Sequence, residues 1–232
     1  DRGLMGLLLQ PIKQDLQLSD SQLGFVTGIA FALFYAVAGV PLARWADRGD
    51  RVTITSLAIG LWGATVMLCL FVSNFTQLVL ARIAAAIGEA GCKPPTYSLV
   101  GDYFPGPTER TRAMSVYWLG GPLSNLISFV LGGWLAHVYG WRVAFFIVGI
   151  PGLILAVLFK LTIVEPRKLH PTSDVPRKPQ PSMASVLSLF WRRRSCRSLC
   201  MALILVNTIS LGMWPWFAAF MIRSHGFSTA EL

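Results

Sequence analysis

Apolar residues in this chain gather into long blocks separated by short polar stretches, the pattern of membrane-crossing helices rather than of a soluble core. Uncharged runs extend from Ser21 to Ala43, Val52 to Ala81, Ala113 to Trp141, Val143 to Phe159 and Ser198 to Ile222. About 20 apolar residues cross a hydrocarbon core of about 30 Å. Val52 to Ala81 is too long for one crossing, and its polar break Ser73-Asn74 divides it. One helix then covers Thr53 to Val72, and another starts near Thr76 and continues through Arg82 to Ser98. Asp1 to Ile12 supplies the end of a further helix. The pattern predicts an all-α polytopic membrane protein with six complete crossings and one partial one, with no initiator Met, signal peptide or soluble domain in view.

Small residues recur at helical spacing in two runs. Gly24, Gly28, Ala32 and Ala36 form one ridge, and Gly120, Ser124, Ser128, Gly132 and Ala136 another. Such rows allow helix backbones to approach closely in lipid, either inside one bundle or as a sliding surface against a second. Ser19 stands three residues before Gln22 ahead of an apolar run, a capping-box spacing that Ser228 and Glu231 repeat at the end of the chain. This weak repeat predicts two parallel halves, with residue 232 at the threshold of an eighth helix.

Between Glu165 and Pro181 the composition changes to EPRKLHPTSDVPRKPQP, five prolines in seventeen residues, which reads as an extended linker. After it, Met183, Val186, Leu187, Phe190 and Trp191 recur at helical spacing and Arg192, Arg193 and Arg194 follow. That segment is either an interfacial helix held by anionic headgroups or a cap on the bundle. The organisation is therefore a bundle over 1–164, a linker with an amphipathic helix over 165–197, and the start of a second bundle over 198–232.

Charge fixes the orientation. Arg44, Arg48 and Arg51, then Arg110 and Arg112, then nine Lys or Arg between Lys160 and Arg197, make fourteen of the twenty basic residues and fall in three loops on one side. Lys13, Arg142 and Arg223 fall on the other. The positive-inside rule makes those three loops, including 165–197, cytoplasmic, in an inner or plasma membrane. The net charge of +9 is then a topology signal, and nucleic-acid binding is excluded because no basic stripe interleaves with aromatics.

Arg82 and Glu89 lie within an apolar stretch, where an ionisable residue costs about 2.5–3.5 kcal/mol and persists only facing protein or a water-filled cavity. Two helical turns separate them, so they share a face, and Lys93 and Thr96 fall near the same line. Four polar groups form one stripe. A carboxylate there is raised in pKa by burial and lowered by a neighbouring Arg, so its protonation can be switched. A static ion network that only specifies packing is the competing reading, and Lys93 fits snorkelling to the cytoplasmic interface better than substrate contact. Pro94-Pro95 removes two helix donors just past Glu89 and predicts a bend. Tyr35, Tyr117 and Trp118 are aromatic neighbours for the stripe, and Asn207 with Trp214 either lines a cavity or belongs to an interfacial belt.

Cys69, Cys92, Cys196 and Cys200 and the isolated His137, His170 and His225 have no metal spacing, and no Walker loop, nucleophile elbow or HExxH occurs. No catalytic residue, cofactor or metal is assigned, and a transporter is expected rather than an enzyme. A receptor or a passive lipid scramblase is the rival class.

Residue motifs carry a resemblance. ARWADRGDRV, Ala43 to Val52, resembles the cytoplasmic signature of the major facilitator superfamily, with Asp47, Arg48 and Arg51 in place and Ala43, Asp50 and Val52 departing from it. Arg82 with IAAAIGEAG resembles its fourth-helix Arg-and-glycine motif. Gly121-Pro122 resembles its antiporter-type Gly-Pro motif, with Asn125 and Leu126 in place of the second Gly pair. Within the superfamily, Asp1-Arg2, LSDSQLGFVTGIAFALFYAVAGVPLARWADR, IGEAGCKPPTYSLVGDYFP, GWRVAFFIVGIPG and Glu165-Pro166 are similar to the Spinster family.

The resemblance implies a six-helix half, a linker and a second half missing from the chain. It implies proton-coupled export by alternating access of amphiphilic lipids such as sphingosine-1-phosphate or lysophospholipids. Proton coupling would fall on Asp1, Arg82 and Glu89, and gating on Asp47, Arg48, Arg51 and Arg112. Substrate contact would fall on Arg2, Arg82, Lys93, Tyr35, Tyr117, Trp118, Asn207 and Trp214. The expected partners are protons, membrane lipids and a single-headed amphiphile. Export of drugs or organic anions, or proton-independent lipid movement, is the alternative.

Overall fold

The computed structural model describes residues 2–169 and 183–227, and these are helical almost throughout. α1 (Arg2–Leu7) and α2 (Leu9–Leu16) form the first helical stretch, which ends where Gln17 takes the left-handed conformation at φ 52°. The predicted capping box is present: Ser19 Oγ accepts from the Gln22 amide, and the Gln22 side chain accepts from the Ser19 amide. It starts α3 (Asp20–Gly24), which passes through a π-helical stretch, Phe25–Ala30, into α4 (Phe31–Arg48).

Asp50 caps α5 (Arg51–Leu68), which tightens into a 3-10 turn at Cys69–Phe71. The polar break then acts as expected, because Asn74 accepts from the Gln77 amide and caps α6 (Phe75–Ala90). α7 (Lys93–Tyr103), α8 (Pro107–Tyr139) and α9 (Trp141–Thr162) follow. Beyond them lie the single turn α10 (Pro166–Leu169), α11 (Met183–Arg192) and α12 (Arg194–His225).

Among the described residues, five helical stretches are long and apolar enough to cross a membrane: Asp20–Arg48, Arg51–Phe71, Phe75–Tyr103, Pro107–Tyr139 and Trp141–Lys168. The last predicted run, Ser198 to Ile222, lies inside the 32 residues of α12.

The bend expected just past Glu89 is present as a break between α6 and α7. The helix breaks at Gly91-Cys92, and the prolines sit in the first turn of α7, where their missing N–H groups leave no bond unmade. Pro166 likewise starts α10, so the linker opens with one helical turn rather than extended chain. Its continuation over 170–182 and the repeat at Ser228 and Glu231 lie outside the described residues.

α5 is the centre of the bundle, packed against α9 and α6, while α4 packs on α6 and α1 lies against α8 and α12. The closest approaches are glycine contacts. A Cβ at Gly63 would stand 3.0 Å from the Leu153 amide nitrogen, and one at Gly88 would stand 2.8 Å from that of Trp62.

The two small-residue ridges behave differently. On α8, a Cβ at Gly132 would run into Leu4 of α1, whereas Gly120 has no neighbour within 4 Å among the described residues. One half of that ridge therefore packs within the bundle and the other half is open. On the α3–α4 crossing, Gly28 is open and Gly24 faces Trp216 of α12.

Candidate substrate and proton site

α1, α4 and α6 bring charge together inside the bundle. Arg2 donates to Glu89 through both Nη2 (2.8 Å to Oε1) and Nε (3.2 Å to Oε2), a bidentate pair joining α1 to α6. Two rings one helical turn apart on α4 lie alongside it. The guanidinium carbon of Arg2 stands 4.4 Å from the centroid of Phe31 and 5.4 Å from that of Tyr35. Arg82 is buried with its guanidinium carbon 4.7 Å from the same Phe31 ring. Lys93 lies 5.7 Å from Tyr35. Phe31 and Tyr35 stack on one another, 6.1 Å apart at 21°. Three cations thus line a pair of aromatic faces, with one carboxylate among them.

The predicted stripe is recognisable but its pairing is not the one periodicity favours. Arg82 and Glu89 do share a face, yet seven residues of helix rise about 10 Å, and Glu89 is taken by Arg2 from another helix. Lys93 keeps its place despite the break before α7. The Thr96 hydroxyl donates to the carbonyl of Cys92, the residue that precedes α7. Tyr117 and Trp118 meet Tyr97 in an aromatic cluster, with centroids 5.6 and 6.4 Å from it. Asn207 is exposed and donates to the Leu203 carbonyl, away from the charged group. Asp1 and the side chain of Trp214 lie outside the described residues. Phe31 was legible only as an apolar residue four positions before Tyr35, and nothing in its own spacing marks it as the shared face for two guanidiniums.

The predicted gating loop resolves into distinct parts. Arg51 is fully buried and bonded on every side: Nε reaches Glu165 Oε1 at 3.0 Å, Nη1 reaches Ser98 Oγ at 2.7 Å and Nη2 reaches Asp102 Oδ2 at 2.7 Å. Asp47 is exposed, and its carbonyl accepts from Arg167. Arg48 and Arg112 are exposed. Asp50, a departure from the signature, accepts from the Thr53 amide at 2.9 Å and pairs with Lys168 at 2.5 Å. Partial burial opposes its ionisation, but the Lys168 and Thr53 hydrogen bonds outweigh it and hold the carboxyl down at about 2.

At the opposite end, Arg223 of α12 forks onto Asp20 (2.8 and 3.2 Å) and Gln10 (2.9 Å), with Lys13 on the same carboxylate. Ala218 and Ala219 are buried nearby, whereas α12 is exposed from Met201 to Ile209. A cavity of about 1050 Å³ opens between α1, α8 and α12, lined by apolar residues including Gly3, Gly6, Phe129, Met213 and Phe217. It contains none of the charged residues, but Gly3 follows Arg2 directly, so the cavity and the ion pair adjoin along α1.

Comparison with known proteins agrees with this architecture. Residues 1–232 match the Major Facilitator Superfamily. An MFS-type efflux pump of Mycolicibacterium smegmatis is 33% identical over the whole chain, which covers 53% of that protein. A hexuronate transporter of Bacillus subtilis is 26% identical, again over the whole chain and 55% of its own length. The sphingosine-1-phosphate transporter SPNS2 of Danio rerio is 27% identical over 92% of this chain and 43% of its own. Among solved structures, a bacterial homolog to the human lysosomal transporter Spinster, in an inward-facing and occupied conformation, superposes with a TM-score of 0.81 at 32% identity. The match covers 99% of this chain and 52% of that one. The motif likeness to Spinster relatives is borne out, and the chain spans about half the length of the relatives it matches. Its helices, its buried Arg51 network and the match over residues 1–232 place it in one family: the chain belongs to the Major Facilitator Superfamily.

Proposed function

We propose that this chain carries half of a proton-coupled secondary transporter for amphiphilic lipids with an anionic head, such as sphingosine-1-phosphate or a lysophospholipid, working by alternating access. The observation that carries the reading is the Arg2–Glu89 pair, set between the Arg82 and Lys93 cations in the membrane interior. Arg2 forks onto both oxygens of the Glu89 carboxyl group. Protonation of Glu89 removes that hold and frees a guanidinium for an anionic headgroup, so one proton and one substrate head become linked through the same side chain. The apolar cavity beginning at Gly3 suits an acyl tail whose head sits at Arg2. The gating role falls on the Arg51 network, the basic loops and the 165–197 linker face the cytoplasm, and the membrane is an inner or plasma membrane.

A second reading, transport of a small organic anion, draws on the same cations and on the hexuronate-transporter relative. The two part on the apolar cavity, which a small polar anion does not need. Proteoliposomes holding the purified full-length protein test both. Lysolipid or sphingoid-phosphate flux stimulated by an imposed pH gradient is the expected result. Saturable hexuronate flux with no response to any single-headed amphiphile supports the second reading, and lipid movement indifferent to pH marks a passive facilitator.

A further inference from the structure

The aromatic pair on α4 has a task that neither the motifs nor the relatives assign. We propose that Phe31, with Tyr35 behind it, is a positioning residue that keeps the Arg2 guanidinium inside the site whether or not Glu89 carries a charge. The inference rests on the proton-linked reading of Glu89 and deepens it.

Neutralising Glu89 while Arg2 and Arg82 remain charged removes negative charge from a group of cations. Arg2 sits at the beginning of α1 and is 37% exposed, so a flexible side chain would swing toward water. An aromatic face attracts a cation without needing an ionised partner, and the attraction does not titrate. Phe31 is itself only 4% exposed and shares its ring between Arg2 and Arg82, 4.4 and 4.7 Å from their guanidinium carbons. Tyr35 extends the surface to Lys93. Arg2 therefore has two holds, one that a proton removes and one that it does not. The charged and titratable groups around it come from α1 (Arg2), α4 (Tyr35), α6 (Arg82, Glu89), the α6–α7 break (Cys92), α7 (Lys93) and α8 (Tyr117). Among these described groups Glu89 is the one carboxylate.

The test uses full-length protein in lipid, with two readouts at each pH: lysolipid binding, and the carboxyl infrared band that Glu89→Gln deletes. Phe31→Leu keeps an apolar side chain and removes the ring face. It should weaken binding roughly 3- to 30-fold and move the pH dependence of the Glu89 band by about half a unit, the effect of losing a cation–π contact of ordinary strength. Phe31→Tyr should restore both. If Phe31→Leu fails to fold, Tyr35→Leu against Tyr35→Phe gives the same comparison with smaller amplitude. A Phe31→Leu band and binding curve that match the wild type overturn the positioning role. A moved band in protein that binds no amphiphile keeps the positioning role and removes the lipid reading instead.

Discussion

Arg51 and Glu165, 114 residues apart, lock the start of α5 to the end of the sixth crossing through both the backbone amide and the guanidinium of Arg51. Both side chains are buried, and Ser98 and Asp102 of α7 complete the shell. Removing one partner leaves the other charge buried. Arg51→Ala should therefore lower unfolding stability by about 3–5 kcal/mol, and Glu165→Gln by less, because Asp102 still faces the guanidinium. Arg51→Lys should recover little of it, because an ammonium cannot reproduce the planar fork. Denaturant unfolding in detergent measures this, and near-wild-type stability of Arg51→Ala would falsify the assignment.

Asp50 gives a pH-dependent contribution of known sign. Its carboxyl is lowered from 3.8 to about 2, so its stabilisation is fully present above about pH 4 and is lost as pH falls toward 2. Asp50→Asn keeps the helix cap and loses the Lys168 pair, whereas Asp50→Ala loses both and should cost about 1 kcal/mol from the cap alone. Stability measured from pH 5 to pH 2 should fall less steeply in both variants than in the wild type. An unchanged slope would remove Asp50 from the account.

Glu89→Gln should keep the fold, since the amide fits the same space, and should reduce gradient-driven flux to the level seen without a gradient. The amide resembles the protonated acid but cannot release a proton. Retained stimulation by pH in reconstituted vesicles would reduce Glu89 to a structural role.

Asp20 and Arg223 join the entry of the α3–α4 crossing to the end of α12. If alternating access separates these helices, cysteines placed at both positions should cross-link under mild oxidation, stop transport, and release it again on reduction. Asp20→Arg alone should impair transport, and Asp20→Arg with Arg223→Asp should recover it. Full activity in the cross-linked protein would show that this end does not open.

The crossings were legible because hydrocarbon thickness acts on each segment separately. Capping was legible at Ser19, where donor and acceptor lie within three residues of one another, and Ser73-Asn74 was legible as a break between helices. Arg82 and Glu89 were legible as charges inside an apolar stretch. What they pair with was not. Arg2 reaches Glu89 from 87 residues away, Phe31 gains its two guanidiniums only because α1, α4 and α6 converge, and Asn207 turns out to bond its own helix. Periodicity assigns a residue to a face, but the partner across that face depends on helix packing and on breaks such as Gly91-Cys92, where backbone hydrogen bonding rather than side-chain pattern sets the angle. The sequence by itself therefore determined which residues carry charge into the membrane, and the tertiary structure decided which of those charges meet.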